Sequence, residues 1–332
     1  MLHVVFLAAL VGCTGKKEPN AAPGDDAGAK PAPQGEVHIP KPSGPPFRDY
    51  ADFKKGDASK KKMKGKQGCL PRGRYKLQVP GSDTSVIMVV TGDGGPRTLV
   101  VALHGGSGDA KTILDQTRWD GMAEVAGNMA VVVPHAAKMG DYGERWNTGK
   151  WDEGEKSEMI DASSLRDDVA YLDELVRYVS GDVCAERVLA AGFSNGGQMA
   201  QRWLCQGSEP DGAITAAGTL LVDPGTCKTA RPIRGYIGTK DKLYTEPPLE
   251  GSSQPNAVES IEAWAKINQC NDAEPKVTKN GDESCKTWKG CTKTTSLCIV
   301  DGFPHGWPAP WSSKKKVPTN ATASGWEWFE AQ

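Results

Sequence analysis

Apolar residues along this chain cluster in short dense runs separated by Gly-, Pro- and Asp-rich stretches. Thr98–Leu103 and Met129–Val133 are almost wholly apolar, the pattern of strands buried on both faces. Arg187–Ala191, Ile233–Gly238 and Ser296–Val300 read the same way, and Gly212–Leu221 reads as a strand of small residues. Arg74–Val79 and Ser85–Val90 predict two more strands joined by the turn Pro80-Gly81-Ser82-Asp83. Between these runs the period changes. Val169, Leu172, Leu175, Val176 and Val179 fall at helical spacing within a helix expected over 164–180. Helices are also expected over 110–126, over 257–267 and at the carboxyl end, around Trp326, Trp328 and Phe329. Alternation of strand and helix predicts a doubly wound, mostly parallel sheet with helices on both faces. Its chemistry belongs at the carboxyl ends of the strands.

The pattern is different before residue 68. Val4–Val11 is an apolar run without charge, followed by Gly12-Cys13. Leu-x-Gly-Cys after a short apolar run resembles a lipoprotein signal, so residues 1–12 are expected to be a signal peptide and Cys13 an acylated membrane anchor, the alternative being an ordinary secretory signal with a nearby cysteine and a secreted protein. The run is too short to span a bilayer as a helix. Residues 13–67 are rich in Pro, Ala, Gly and Lys, and seven of the lysines lie between 54 and 66. Such a stretch is expected to be a disordered tether, its lysines a solvated run or a contact with an anionic surface. The folded catalytic domain is then 68–332. The net charge of −1 gives no electrostatic case for nucleic acid as a partner. Of nine cysteines, eight follow Cys13, an even number that reads as disulfides in an exported chain. Without a C-x-x-C pair, a metal site is not expected.

One turn carries candidate chemistry. In Gly192-Phe193-Ser194-Asn195-Gly196-Gly197, Gly192 and Gly196 flank a serine in the pattern G-x-S-x-G, between a predicted strand and a helix-forming run. A serine hydroxyl needs a base. His3, His38, His104 and His135 all precede the turn, and His305 alone follows it, at the end of the last predicted strand. An acid orienting that histidine belongs between the two. Asp241, just past the strand over 233–238, is the first candidate and Asp223 its rival. The backbone amides of Asn195 and of Gly106, in the loop His104-Gly105-Gly106, are candidates for an oxyanion hole. Trp307, His104 and Trp146 are candidates to line the substrate site, with simple packing the alternative for Trp146 and Trp151.

These residues carry a resemblance. His104-Gly105-Gly106, Asp167-Asp168-Val169, Gly192–Gly197, Gly238-Thr239-Lys240-Asp241 and His305-Gly306-Trp307-Pro308 together resemble the polyhydroxybutyrate depolymerase and feruloyl esterase-like α/β-hydrolases, over roughly Cys69 to Phe329. The resemblance implies an α/β-hydrolase fold, a Ser194–Asp241–His305 triad, secreted esterase chemistry and no cofactor. Trp264-Ala265-Lys266-Ile267-Asn268-Gln269-Cys270 matches a family stretch and Cys291 a second family cysteine, which implies a Cys270–Cys291 disulfide. A second pair is expected between Cys184 and Cys205, which flank the nucleophile strand and helix. The chain departs from relatives at Gly106, where many carry Cys or Ser, and at Cys285 and Cys298, which look additional. A peptidase or an amide or thioester hydrolase on the same scaffold, and a tethered binding protein without catalysis, are the alternatives.

Overall fold

A computed structural model describes residues 38–41, 48–49, 68–79, 85–92, 94–139, 143–149, 165–247 and 254–332. The expected signal, Cys13, the lysine run, the turn at 80–83 and Trp151 lie outside the described residues.

The strands are β1 (Arg48–Asp49), β2 (Gly73–Leu77), β3 (Val86–Val90), β4 (Arg97–Leu103), β5 (Met129–Val133), β6 (Ala137–Lys138), β7 (Glu144–Arg145), β8 (Ala185–Phe193), β9 (Gly212–Ala216), β10 (Ile233–Gly238), β11 (Lys276–Asn280), β12 (Glu283–Thr287) and β13 (Thr295–Val300). The helices are α1 (Ala110–Thr117), α2 (Trp119–Ala126), α3 (Asp168–Val183), α4 (Asn195–Gln206), α5 (Ala257–Ile267) and α6 (Ala321–Glu330). Eleven strands form one sheet in the order β1-β2-β3-β5-β4-β8-β9-β10-β13-β12-β11, and β6 and β7 form a separate hairpin. The run from β5 to β13 is parallel throughout. Antiparallel strands flank it, β2 and β3 on one side and β11 and β12 on the other.

Strand alternation shows how the sheet is covered. Neighbouring residues of a strand face opposite ways. On β10, Gly235 lies against Ile261 of α5, while the Tyr236 hydroxyl reaches Ser324 of α6 at 2.9 Å. The two helices therefore cover opposite faces. Every residue of β4, β5 and β9 is buried, as their unbroken apolar or small-residue runs require.

Three expectations change. The helix over 110–126 is two helices, because Arg118 adopts a left-handed conformation (φ 53°) that ends α1 and starts α2. The folded unit begins ahead of residue 68: Ile39 is buried, its carbonyl accepts from the Arg118 guanidinium at 3.0 Å, and β1 pairs with β2. A single isoleucine among prolines has no periodicity to announce it. The cysteines form Cys69–Cys184, Cys205–Cys227, Cys270–Cys291 and Cys285–Cys298. The resemblance thus placed Cys270–Cys291 correctly, and Cys184–Cys205 is not formed. Cys184 is claimed by the segment at Cys69: Leu70 N–H donates to Asp182 C=O, and the buried Arg97 guanidinium bridges the carbonyls of Leu70 and Val183. Cys205 instead meets the loop after β9, where its carbonyl accepts from Lys228 N–H at 2.9 Å.

Candidate active site

The turn between β8 and α4 is built on close backbone approach. A β-carbon on Gly192 would lie 2.1 Å from the Gly196 carbonyl oxygen, and one on Gly196 would lie 2.2 and 2.4 Å from the carbonyl oxygens of Leu103 and His104. No side chain fits at either position. Ser194 sits between them at φ 54°, ψ −122°, a conformation that costs on the order of 1–3 kcal/mol and persists where its surroundings enforce it. Its own N–H is held by the Ala216 carbonyl of β9 at 2.9 Å. The hydroxyl is thereby lifted clear of the sheet at the strand's carboxyl end.

Ser194, His305 and Asp241 are brought together. His305 Nε2 lies 3.0 Å from Ser194 Oγ, and Nδ1 lies 2.7 Å from Asp241 Oδ2. A carboxylate can only accept, so Nδ1 carries the proton and Nε2 is left to accept from the serine hydroxyl. The imidazole is 45 % exposed, and the carboxylate is buried at 2 %. Asp241 is fixed from behind as well, its Oδ1 accepting from Leu243 N–H at 3.1 Å in the short 3-10 turn that follows β10. The loop carrying His305 is joined to the same strand end. Lys240 N–H donates to Phe303 C=O at 3.0 Å, and Gly302 N–H donates to Thr239 Oγ1 at 2.7 Å. The rival acid Asp223 is exposed and caps its own turn through Gly225 N–H. Geometry therefore separates the two aspartates left open by the chain order.

Gly106 lies in the loop after β4, and Asn195 is the first residue of α4, directly after Ser194. Among the described residues, neither of their amides donates to a backbone carbonyl. A β-carbon on Gly105 would lie 3.3 Å from the Phe193 ring and 3.4 Å from the Ser194 β-carbon. The Asn195 side chain, to which sequence reasoning assigned nothing, accepts from Trp146 N–H at 2.8 Å. It thus ties the β6–β7 hairpin to the nucleophile turn. No pattern in the sequence announces this contact, because it joins an irregular loop to a helix start 49 residues away.

The three side chains expected to line a substrate site do not do so. Trp146, His104 and Trp307 are buried. The Trp146 indole donates to His104 C=O at 2.9 Å and the Trp307 indole to Thr322 Oγ1 at 3.0 Å. His104 Nε2 accepts from Ala136 N–H at 3.1 Å, so its proton sits on Nδ1, which donates to Gly105 C=O at 2.8 Å. Burial holds this imidazole below its usual value, against the upward pull of the Gly105 carbonyl and Glu144. These residues support the loops around the serine.

Ligating atoms of His104, His135 and Glu144 come within 4.8 Å of one another. Both His104 nitrogens already serve the backbone, and Glu144 is engaged with His135 at 3.2 Å. The trio does not fit a metal centre. In the other such group, Cys285 and Cys298 are bonded to each other.

No family model matches the chain, and no curated protein matches it by sequence. Solved structures do. The chain is similar to the acetyl xylan esterase from Aspergillus awamori, with 14 % identity over 78 % of this chain and 100 % of that one, at a TM-score of 0.52. It is also similar to a Bacillus cereus carboxylesterase, with 14 % identity over 76 % and 95 % at a TM-score of 0.48, and to the esterase PE8, with 16 % over 74 % and 96 % at 0.47. At such identities likeness speaks for architecture alone. The strand order, the turn at Ser194 and the first of these matches agree on that architecture, which is the α/β-hydrolase fold.

Proposed function

We propose that the protein is an exported serine hydrolase of carboxylic esters. The observation that carries the reading is the chain of contacts from Ser194 Oγ through His305 to the buried Asp241 carboxylate. Ser194 Oγ attacks the ester carbonyl while His305 Nε2 takes its proton. Asp241 holds the imidazole tautomer and stabilises the imidazolium. The amides of Gly106 and Asn195 receive the negative oxygen, each such donor typically supplying about 2.7–4 kcal/mol. His305 then returns the proton to the departing alcohol, and a water activated by the same nitrogen releases the acyl group. The triad and the amides carry each step, so the reading includes no cofactor. The four disulfides support export, since paired thiols persist in oxidising compartments. A lipid anchor at Cys13 and the tether behind it complete the proposal. Within esterases, kinship with polyhydroxybutyrate depolymerases and feruloyl esterases is the finer form, and a panel of hydroxybutyrate, feruloyl and acetyl-sugar esters sorts it.

The test is hydrolysis of p-nitrophenyl butyrate together with labelling by a fluorophosphonate probe. Ser194→Ala is expected to lose on the order of 10⁶-fold in kcat, the margin seen when a triad serine is removed, and to lose the label. Equal rates in the two proteins would overturn the assignment.

A further inference from the structure

The β6–β7 hairpin holds Arg145 between two anchors. On one side the Glu144 carbonyl accepts from Ser107 N–H at 2.8 Å. On the other, Trp146 N–H donates to Asn195 Oδ1 at 2.8 Å, and Asn195 Nδ2 returns to the Trp146 carbonyl at 3.4 Å. Ser107 follows Gly106, and Asn195 follows Ser194. The backbone on either side of Arg145 is therefore pinned to both halves of the oxyanion site. The Arg145 guanidinium also rests on Gly106, where a β-carbon would lie 3.5 Å from Cζ, 3.6 Å from Nη1 and 3.7 Å from Nε.

Building on the ester-hydrolase reading, we propose that Arg145 determines specificity by selecting esters whose acyl part carries a carboxylate. Three directions at the reacting carbon are assigned. The leaving oxygen lies toward His305, which must protonate it. The carbonyl oxygen lies toward Gly106 and Asn195. The acyl chain takes the remaining side. Its first atoms leave the reacting carbon next to the carbonyl oxygen, so a group a few bonds along that chain comes within reach of the Arg145 guanidinium beside Gly106. A guanidinium offers a planar fork of N–H donors matched to a carboxylate. No covalent step is added, because the arginine acts through charge and hydrogen bonding alone.

The experiment measures kcat/KM for monomethyl succinate and dimethyl succinate, which differ at the acyl terminus in charge and one methyl group. Wild-type protein, Arg145→Gln and Arg145→Lys are compared, each first shown to be folded by thermal unfolding. Wild type is expected to favour the monoester, and raised ionic strength is expected to narrow that preference. Arg145→Gln is expected to reduce the monoester-to-diester ratio by at least about tenfold, mainly through KM, and Arg145→Lys to keep part of it. Equal losses on both esters would overturn the inference, since a merely structural or general oxyanion role predicts that result. So would a wild-type enzyme that shows no preference, even if neither variant folds. A wild-type protein that hydrolyses neither ester nor p-nitrophenyl butyrate overturns the ester-hydrolase reading itself, and the inference falls with it.

Discussion

The nucleophile turn and the β11–β12 hairpin are held in place by opposite means. At the turn, Gly192 and Gly196 let backbones approach to distances at which a β-carbon would meet a carbonyl oxygen at 2.1–2.2 Å. The strands beneath it are wholly buried. At the hairpin all five residues of β11 are exposed, Val277 at 50 %. There the chain relies on covalent closure. Cys285 and Cys298 are directly opposed partners of β12 and β13 and are bonded to each other, and Cys270–Cys291 closes the surrounding loop. The difference teaches where each kind of restraint is effective. In the centre, burial of apolar surface does the stabilising, and the constraint is steric. At an edge with little to bury, restricting the unfolded chain is the available alternative.

The contrast is most directly broken by adding one methyl group at the centre. Gly196→Ala forces its β-carbon onto two backbone carbonyls that cannot move independently of β4. We expect a loss of at least about 3 kcal/mol, or no soluble folded protein, read by urea unfolding. The same change at Gly281, in the turn between β11 and β12 (φ 57°), meets only Pro318 Cγ at 3.6 Å. It should cost only about 1 kcal/mol, for the left-handed backbone.

Next in size is the double change Cys285→Ser with Cys298→Ser. Closing a loop of 13 residues restricts the unfolded chain by about 3 kcal/mol in the entropic account. Unfolding should shift by roughly that much while the specific activity of the folded fraction stays unchanged. A fall in specific activity at unchanged stability would show that the edge communicates with the site.

The smallest effect concerns the opposite flank of the sheet, where Asp120 of α2 is buried 3.6 Å from Arg74 of β2. Burial pushes this carboxyl up to about 6, with Arg74 only partly opposing it. An unfolded aspartate titrates near 3.9, so between those values the unfolded chain gives up its proton first. Stability therefore falls as pH rises from about 4 to 6 and then levels off. Asp120→Asn should remove that slope and be more stable than wild type at pH 7 by on the order of 1 kcal/mol, after allowing for the lost attraction to Arg74. A pH-independent difference between the two proteins would count against the assignment.

How much of this was legible in the chain follows the same division. Buried runs such as Leu99–Leu103 and Met129–Val133 announce their strands because a strand covered on both faces has no polar positions. The Ser194 turn is legible because steric exclusion leaves glycine as the only residue that fits. Asp241 and His305 follow from chain order and strand ends. β11 and β12 were not predicted: Lys-Val-Thr-Lys-Asn and Glu-Ser-Cys-Lys-Thr are polar segments whose strand state comes from pairing and cross-linking. The β6–β7 hairpin was missed for a similar reason. Its two-residue strands are fixed by contacts to Ser107 and Asn195, which are distant in sequence. The aromatic side chains misled because a tryptophan near a site and a tryptophan beneath it look alike in sequence.

The Cys69–Cys184 bond has a mechanical consequence. Its partners are 115 residues apart, and the second stands at the start of β8, the strand that leads to Ser194. A pull on the chain ahead of Cys69 passes through sulfur directly to Cys184. Residues 70–183, which include β2 to β5 and the hairpin bearing Arg145, lie on a loop that carries no tension. A tug from that end can strip β1 from the sheet and Ile39 from its buried seat, but it reaches a covalent stop before it can unravel the Gly106 side of the site.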